Sequence, residues 1–224
     1  MLLERATRLR ERMDDPACDP RQLRNTYAQF ALVNRWVSGW RRVFERLLAP
    51  RLFAGATLLD VGCGGADVTR SLLRWSRQLG EPLLVTAIDP DPRALEFARS
   101  RSRPGEIEFV QATAEELARA GRRFDFVVSN HLLHHLEERE LPAFLDACGR
   151  LGGRLVVHND LRRHPVALLG FALTWPIFSD SFIVGDGLRS IRRSYAPSEL
   201  RAVLPDGWRH ETLAPFRNLV VLER

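Results

Sequence analysis

The chain has 224 residues and a formal net charge of +5, and all 33 of its Lys+Arg residues are arginine. This length suits one α/β domain with a modest extension better than two independent domains. The arginines are mostly spaced as on solvated helix faces, without a recognisable nucleic-acid-binding module, which argues against a nucleic-acid partner. Three cysteines without a Cys-x-x-Cys pair favour neither a disulfide framework nor a thiolate zinc site, and they fit a reducing cytoplasm.

Targeting and membrane signals are weak. The N-terminal stretch MLLERATRLRERMDDP carries charges every few residues, unlike a signal peptide. The longest uncharged run, PVALLGFALTWPIFS from Pro165, is shorter than the roughly 20 residues that span a bilayer. We therefore expect a cytoplasmic protein, monomer or homodimer, without a transmembrane segment. A peripheral membrane contact through residues 165–178 stays open.

The first 54 residues predict an N-terminal helical cap. Residues 22–48 place apolar side chains three and four positions apart, which is typical of an amphipathic helix. A shorter arginine-rich helix is predicted before the turn DDPACDP, whose two prolines separate the two helices.

From Thr57 onward, short apolar runs alternate with helical stretches. The runs are TLLDV, LLVTAID, IEFVQA, FDFVVSN and GRLVVHND. Buried parallel strands are continuous apolar runs, and strands that alternate with helices indicate a parallel sheet. Residues 55–224 are therefore predicted to form an α/β domain with a doubly wound, Rossmann-like sheet that is mostly parallel.

The alternation stops after the fifth strand. A helical insert is predicted for residues 161–195, followed by a short helix and the two strands WRHETLA and NLVVLER. The tight connection between these strands predicts an antiparallel pair, so that the last strand runs antiparallel to the rest of the sheet.

A glycine-rich loop, VGCGGAD, follows the first strand. In open α/β sheets ligands bind beyond the carboxyl ends of the strands, where glycines let the backbone approach the ligand before a helix starts. A nicotinamide dinucleotide fold would need a third glycine where Asp67 stands, which argues against hydride transfer. A tight strand-to-helix turn without a ligand is the alternative.

This loop resembles motif I of the class I S-adenosylmethionine-dependent methyltransferases, an acidic residue followed by G-x-G-x-G. The motif stands here as Asp60, Gly62 and Gly64, with Ala66 in place of the third glycine. The resemblance implies that Asp60 lies near the methionine portion of the cofactor and that the glycines make room for it. The expected cofactor contacts in the loop are Asp60, Gly62, Cys63, Gly64 and Asp67.

The second strand ends in Asp89, 25 residues beyond Gly64. A carboxylate there can accept hydrogen bonds from both ribose hydroxyls, and the resemblance assigns Asp89 this role, with Pro90 beside it. The alternative is a helix N-cap before PDPRALEFARS, which Asp91 could fill instead.

The third strand leads into VQATAEEL, where this family commonly has an acidic residue followed by alanine, close to the adenine. Thr113 occupies the acidic position and Ala114 follows it. Backbone groups of Ala112, Thr113 and Ala114 are therefore expected to contact the adenine. The resemblance covers strands one to five, about residues 55–160.

The segment SNHLLHHL after strand four resembles the small-molecule branch of the family, especially methylases of quinone precursors and phenolic polyketides. Amine methyltransferases typically have an N-P-P-Y-like or D-P-P-Y-like sequence there. The resemblance implies methyl transfer from S-adenosylmethionine to a small aromatic, phenolic or quinol-like acceptor, with O-methylation expected and S-adenosylhomocysteine as product. The N-terminal cap and the insert would form a lid over this acceptor. A catalytically silent cofactor-binding partner subunit and an RNA methyltransferase are the alternatives.

The histidines of this segment, His131, His134 and His135, also suggest a metal site. No cysteine or clear carboxylate set completes a metal shell, so we predict no metal. Asn130 and His131 are expected at the strand end nearest the transferred methyl group, and His134 and His135 at the start of a helix. A phenol needs a base near neutral pH, and we predict His134 as this base, with His131 next.

Overall fold

The computed structural model describes residues 4–174 and 176–224; residues 1–3 and residue 175 lie outside the described part. The strands are β1 Thr57–Val61, β2 Leu84–Ile88, β3 Glu108–Val110, β4 Phe124–Asn130, β5 Gly152–Leu161, β6 Trp208–Leu213 and β7 Arg217–Glu223. The helices are α1 Pro20–Val37, α2 Trp40–Val43, α3 Asp67–Gln78, α4 Pro92–Ser100, α5 Ala114–Arg119, α6 Leu141–Leu151, α7 Pro165–Ala172, α8 Ile183–Arg193 and α9 Pro197–Val203.

The seven strands form one sheet in the order β3-β2-β1-β4-β5-β7-β6. β1 to β5 are parallel, and β7 runs antiparallel to both of its neighbours. The predicted Rossmann-like sheet and its antiparallel ending are confirmed. Because β7 runs in the opposite direction, its first residue, Arg217, pairs with Leu161 at the end of β5. The start of β7 therefore lies at the edge where the parallel strands end.

The core lies on both faces of the sheet. Successive residues of a strand point to opposite faces, and neighbouring residues of β1 accordingly enter different clusters. Leu58 packs with Val128 on one face, and Leu59 packs with Val127 on the other. All four side chains are fully buried. This explains why the strands are continuous apolar runs.

The N-terminal helix is not continuous over residues 22–48. α1 ends at Val37, and α2 begins at Trp40 after Gly39, which adopts φ +70°. A side chain at Gly39 would be both strained and obstructed, because its Cβ would lie 2.6 Å from Cδ2 of Leu213. The apolar periodicity of the sequence therefore continues past Gly39, although packing against Leu213 interrupts the helix there.

The predicted arginine-rich helix at the start is also wrong for the residues that the structure describes. Residues 4–19 form turns and irregular structure, which we call the N-terminal strap. The backbone N–H groups of Arg12 and Met13 donate to the carboxylate of Asp186 on α8, at 2.9 and 3.0 Å. These amides would bond within the strap if it were helical, so tertiary contacts replace the local ones.

The insert over residues 161–195 contains α7 and α8, in agreement with the predicted helical insert. α7 buries none of its side chains, and Leu169 is 68% exposed. In the described part of the chain, every helix is too short or too polar to cross a membrane. The suggested peripheral membrane contact through this region stays a prediction.

Candidate active site

A cavity of about 680 Å³ opens at the carboxyl edge of the parallel strands. α1, α7, α8 and the N-terminal strap contribute to its walls. The predicted site residues that line it are Gly62, Cys63, Gly64, Asp67, Asp89, Pro90, Ala112, Thr113, Ala114, Asn130, His131 and His134. The fold thus brings together loops that lie far apart in the sequence, as expected for the ends of parallel strands.

The glycine loop depends on left-handed backbone at three positions. Gly62 and Gly64 have φ of +67° and +52°, and Ala66 has φ +55°. A Cβ at Gly62 would lie 2.6 Å from Cδ1 of Leu132, whereas one at Gly64 would meet no atom within 4 Å. Ala66 therefore adopts the conformation that the third glycine of the motif would favour.

Asp89 faces the loop and not the helix that follows it. Its carboxylate accepts hydrogen bonds from the backbone N–H groups of Gly64 and Asp91, both at 2.9 Å. Burial raises the pKa of Asp89 although these donors oppose the shift. The N-cap of α4 is Asp91, which accepts from the N–H of Arg93 at 2.8 Å. Asp91 is therefore the N-cap of α4, and Asp89 is not.

Asp60 differs from Gly62 and Gly64 of the motif, because it does not line the cavity. Its side chain is buried behind the glycine loop and accepts a hydrogen bond from the hydroxyl of Thr69 on α3. Burial raises the pKa of Asp60 to about 7. The hydrogen bond from Thr69 opposes this shift, and the nearby carboxylates of Asp67 and Asp89 add to it. The expected direct contact of Asp60 with a cofactor is not supported by this position.

Thr113 begins α5 with a capping box. Its hydroxyl accepts from the N–H of Glu116 at 3.3 Å, and the Glu116 carboxylate accepts from the N–H of Thr113 at 2.8 Å. Such reciprocal bonds satisfy backbone donors that a helix start leaves open. Thr113 therefore caps α5, at the position where the resemblance leads one to expect an acidic residue.

Two asparagines connect α1 to the loop and to β4. The amide of Asn34 donates to Asp67 at 3.0 Å, and the amide of Asn130 donates to Asn34 at 3.2 Å. The indole N–H of Trp40 donates to Asn130 at 2.9 Å. Sequence reasoning missed Asn34, although a polar residue beside Val33 on a predicted apolar face could have indicated it.

His134 is held between two carboxylates. Its backbone N–H and Nδ1 bond to Asp160 at 2.6 and 2.7 Å, and its Nε2 lies 3.2 Å from Glu11. Burial lowers the pKa of His134, but both carboxylates outweigh burial and raise it to about 9. Burial raises the pKa of Glu11, but His134 and His135 outweigh it and lower the pKa to about 2. His134 is therefore a cation at neutral pH in this conformation.

The third histidine, His135, extends the same cluster. Its Nε2 lies 3.7 Å from Glu11, and one ligand atom each of Glu11, His134 and His135 fall within 4.8 Å of one another. Glu11 lies in the N-terminal strap, so the spacing of the histidines in the sequence could not predict that it joins this cluster. The absence of a metal stays a prediction.

His131 has a different environment. It adopts φ +57°, and its Nε2 accepts a hydrogen bond from Nη1 of Arg217 at 2.6 Å. Burial and the Arg217 charge hold the pKa of His131 well below its usual value. Nε2 is occupied in both histidines, but the lowered pKa of His131 makes its ring the weaker proton acceptor, so His134 is the better candidate for the base.

The local structure after β4 also differs from the prediction. Leu133–His135 form a single 3-10 turn, and the following helix, α6, begins only at Leu141. The backbone N–H of His134 is bonded to the Asp160 side chain, which anchors the turn to β5. His134 and His135 therefore do not begin a helix.

The comparison with known families agrees with the resemblance of the sequence motifs. Residues 58–152 match the family model described as a methyltransferase domain. The chain is 37% identical over 127 residues to a ubiquinone biosynthesis O-methyltransferase of Cereibacter sphaeroides, covering 54% of this chain and 48% of that relative. A ubiquinone biosynthesis O-methyltransferase of Methylocella silvestris is 29% identical over 186 residues, which are 73% of this chain and 70% of the relative. The chain spans about half the length of several curated relatives it matches.

Solved structures share the fold at low sequence identity. A SAM dependent methyltransferase from Aquifex aeolicus aligns with a TM-score of 0.61 and 18% identity, covering 91% of this chain and 97% of the other. Magnesium protoporphyrin IX methyltransferase from Synechocystis, with bound SAH, gives a TM-score of 0.57 and 15% identity, covering 95% and 91%. The domain match over residues 58–152, the order of the motifs and this fold together support a class I S-adenosylmethionine-dependent methyltransferase.

Proposed function

We propose that this protein transfers a methyl group from S-adenosylmethionine to an oxygen of a small aromatic or quinol-like acceptor. The observation that carries the proposal is one cavity that joins the glycine loop and Asp89 to the buried pair of His134 and Asp160. The similarity to ubiquinone biosynthesis O-methyltransferases supports oxygen as the methylated atom and a quinol-like ring as the acceptor.

The cofactor end of the cavity suits a cation. Asp67 and Asp89 line it, and among the described residues neither carboxylate has an ion-pair partner. Burial raises the pKa of both groups, so a positive ligand would relieve an unfavourable environment. When bound, S-adenosylmethionine supplies an electrophilic methyl group on a positively charged sulfur. Asp89 would hold its ribose, and backbone groups around Ala112 and Thr113 its adenine.

At the acceptor end, His134 is the proposed base. Asp160 accepts from Nδ1 and so orients the ring, which leaves Nε2 as the atom that takes the acceptor proton. Nε2 is bonded to Glu11 in this conformation. The acceptor hydroxyl therefore reaches Nε2 only after the Glu11 bond opens, and a neutral His134 is required at that moment.

Cofactor binding is tested by titration calorimetry with S-adenosylmethionine. We expect binding by the natural protein and a loss of about ten-fold or more in Asp89→Ala, because two charge-assisted hydrogen bonds disappear. Glu96→Ala is the matched control, since Glu96 is an exposed acid on the adjoining helix α4. Absent binding, or equal binding by both variants, would contradict the proposal.

Transfer is tested by the release of S-adenosylhomocysteine with a panel of phenols and quinols. His134→Ala should lower kcat by about 10²–10⁴-fold while cofactor affinity is retained. Cofactor binding without product release on any acceptor would favour the silent-subunit alternative. An RNA affinity that falls steeply with salt concentration would favour RNA methylation instead.

A further inference from the structure

Arg217 is a buried cation at the acceptor end of the cavity. It is the first residue of β7 and pairs with Leu161 of β5 and Leu213 of β6. Its side chain is 1% exposed and lines the same cavity as His131 and His134. This position follows from the antiparallel direction of β7, which brings its start to the carboxyl edge of the other strands.

Neutral groups accept all the hydrogen bonds that Arg217 donates within the described chain. Nε donates to the side-chain oxygen of Asn159 at 2.8 Å, and Nη2 donates to the Asn159 carbonyl at 3.0 Å and to Asn130 at 3.1 Å. Nη1 donates to His131 at 2.6 Å. A guanidinium has five N–H groups, so one N–H of Nη1 keeps no acceptor among residues 4–174 and 176–224.

The positive charge of Arg217 has no carboxylate partner at ion-pair distance among the described residues. Asp160 acts on it electrostatically, but the Asp160 oxygens are bonded to His134 and to the N–H of Leu161. Burial lowers the pKa of Arg217 to about 10, which still leaves it charged at neutral pH. A buried charge without a partner is costly unless a ligand supplies the counter-charge.

Charged groups of opposite sign without an ion-pair partner among the described residues therefore lie at the two ends of the cavity. Asp67 and Asp89 form an unpaired negative wall at the cofactor end, and Arg217 forms an unpaired positive wall near Asn130 and His131. An arrangement of this kind suits a cationic donor on one side and an anionic acceptor on the other. His131 cannot neutralise Arg217, since it is an uncharged hydrogen-bond acceptor in this contact.

We propose that Arg217 binds an anionic oxygen of the acceptor ring through its free Nη1 donor. This inference rests on the proposed function and narrows the acceptor to acidic aromatics, in which the anionic oxygen is a phenolate or a ring carboxylate. A charge-assisted hydrogen bond of this kind holds the acceptor oxygen near the end of β4 and favours the deprotonated form of a phenol.

The test is a binding measurement that does not depend on turnover. 4-Nitrophenol is titrated into the protein with S-adenosylhomocysteine present, and the visible absorbance of its phenolate reports the protonation state of the bound ligand. We expect the phenolate to bind at least about ten-fold more tightly than the phenol. Benzoate, which has a carboxylate and no phenol, is titrated as the second probe.

The variants separate Arg217 from its surroundings. Arg217→Gln should remove the preference for the anionic form, and Arg217→Lys should retain part of it because the charge remains. Arg162→Gln is the matched control, since Arg162 lines the same cavity and is partly exposed. Binding of 4-nitrophenolate without benzoate would support a phenolate site, and the reverse would support a carboxylate site.

Three results would overturn the proposal. The first is that the natural protein binds the phenolate and the phenol equally well and does not bind benzoate. This result uses the natural protein alone, so it would overturn the proposal even if Arg217→Gln does not fold. The second is a preference abolished by Arg162→Gln and kept by Arg217→Gln. The third is a loss of S-adenosylmethionine affinity in Arg217→Lys, which would assign Arg217 to the cofactor carboxylate. An intact phenolate preference without product release would contradict only the proposed function.

Discussion

Glu11 and His134 are 123 residues apart in the chain, yet their contact adds to the larger effect of Asp160 in raising the pKa of the proposed base. Glu11 also accepts a hydrogen bond from the Ser190 hydroxyl at 2.6 Å, through the same carboxylate oxygen, Oε1, that contacts His134. Two carboxylates around one imidazole stabilise the imidazolium. The same contact that keeps His134 in place therefore makes it a poorer base until Glu11 withdraws.

This coupling predicts the pH dependence of Glu11→Gln. The pKa of His134 is raised to about 9, and only the neutral ring takes a proton, so the kcat/KM of the natural protein should rise with pH up to about that value. Removing the Glu11 charge lowers the His134 pKa, and the rising limb should move to lower pH by roughly one unit. A pH profile with a phenol that stays protonated across this range measures the shift, and an unmoved limb would contradict the contact.

His131→Gln is the companion experiment, because His131 bonds to Arg217 and to neither carboxylate in this structure. If His134 is the base, the His131 variant should keep the rising limb of the profile. A limb that disappears in His131→Gln and persists in His134→Ala would reverse the assignment of the two histidines.

At the scale of secondary-structure elements, the insert helices α7 and α8 shape the acceptor side of the cavity. Phe171 on α7 packs over Gly187 on α8, and both line the cavity. A Cβ at Gly187 would lie 2.1 Å from Cε1 of Phe171. The absence of a side chain at this position therefore allows the two helices to approach.

Gly187→Ala should displace Phe171. We expect the free energy of unfolding to fall by about 1–3 kcal/mol and the KM for the acceptor to rise, while the affinity for S-adenosylmethionine is unchanged. Gly185→Ala on the same helix is the control, because its Cβ would meet only the flexible end of Arg189 at 3.4 Å. The control should gain up to about 1 kcal/mol from helix propensity. Equal behaviour of both variants in denaturation and kinetics would refute the packing argument.

At the scale of the whole molecule, the sheet edge connects distant parts of the chain through one cavity. The glycine loop, the end of β2, the end of β4 and the start of β7 all meet there. Ligand binding to the folded state alone stabilises the entire domain, since the unfolded chain has no such edge.

Thermal unfolding should report this linkage. S-Adenosylmethionine at 100 times its Kd adds about 2.7 kcal/mol, which corresponds to a rise in Tm of about 5–10 °C for a domain of this size. Differential scanning calorimetry measures the shift, with adenosine monophosphate as a ligand that lacks the sulfonium. A Tm that does not respond to S-adenosylmethionine would contradict cofactor binding, and an equal response to both ligands would contradict recognition of the positive sulfur.

Much of the fold was predictable from local pattern. Short apolar runs marked the strands β1 to β5 and β7, because a strand buried on both faces is largely apolar. The motif glycines and Asp89 were also predictable, since the carboxyl ends of parallel strands share one edge and the turn after β1 requires left-handed backbone. Helix boundaries were less certain, and the break at Gly39 depends on contact with Leu213.

The tertiary structure alone decided what surrounds the reacting groups. The sequence by itself determined the sheet, the glycine loop and a histidine cluster after β4, because these depend on neighbouring residues. It did not indicate that Glu11 reaches His134, that Asp60 turns away from the cavity, or that Arg217 is buried without a carboxylate. Those features depend on contacts between residues far apart in the chain. Such contacts set the pKa of each buried group and therefore its charge.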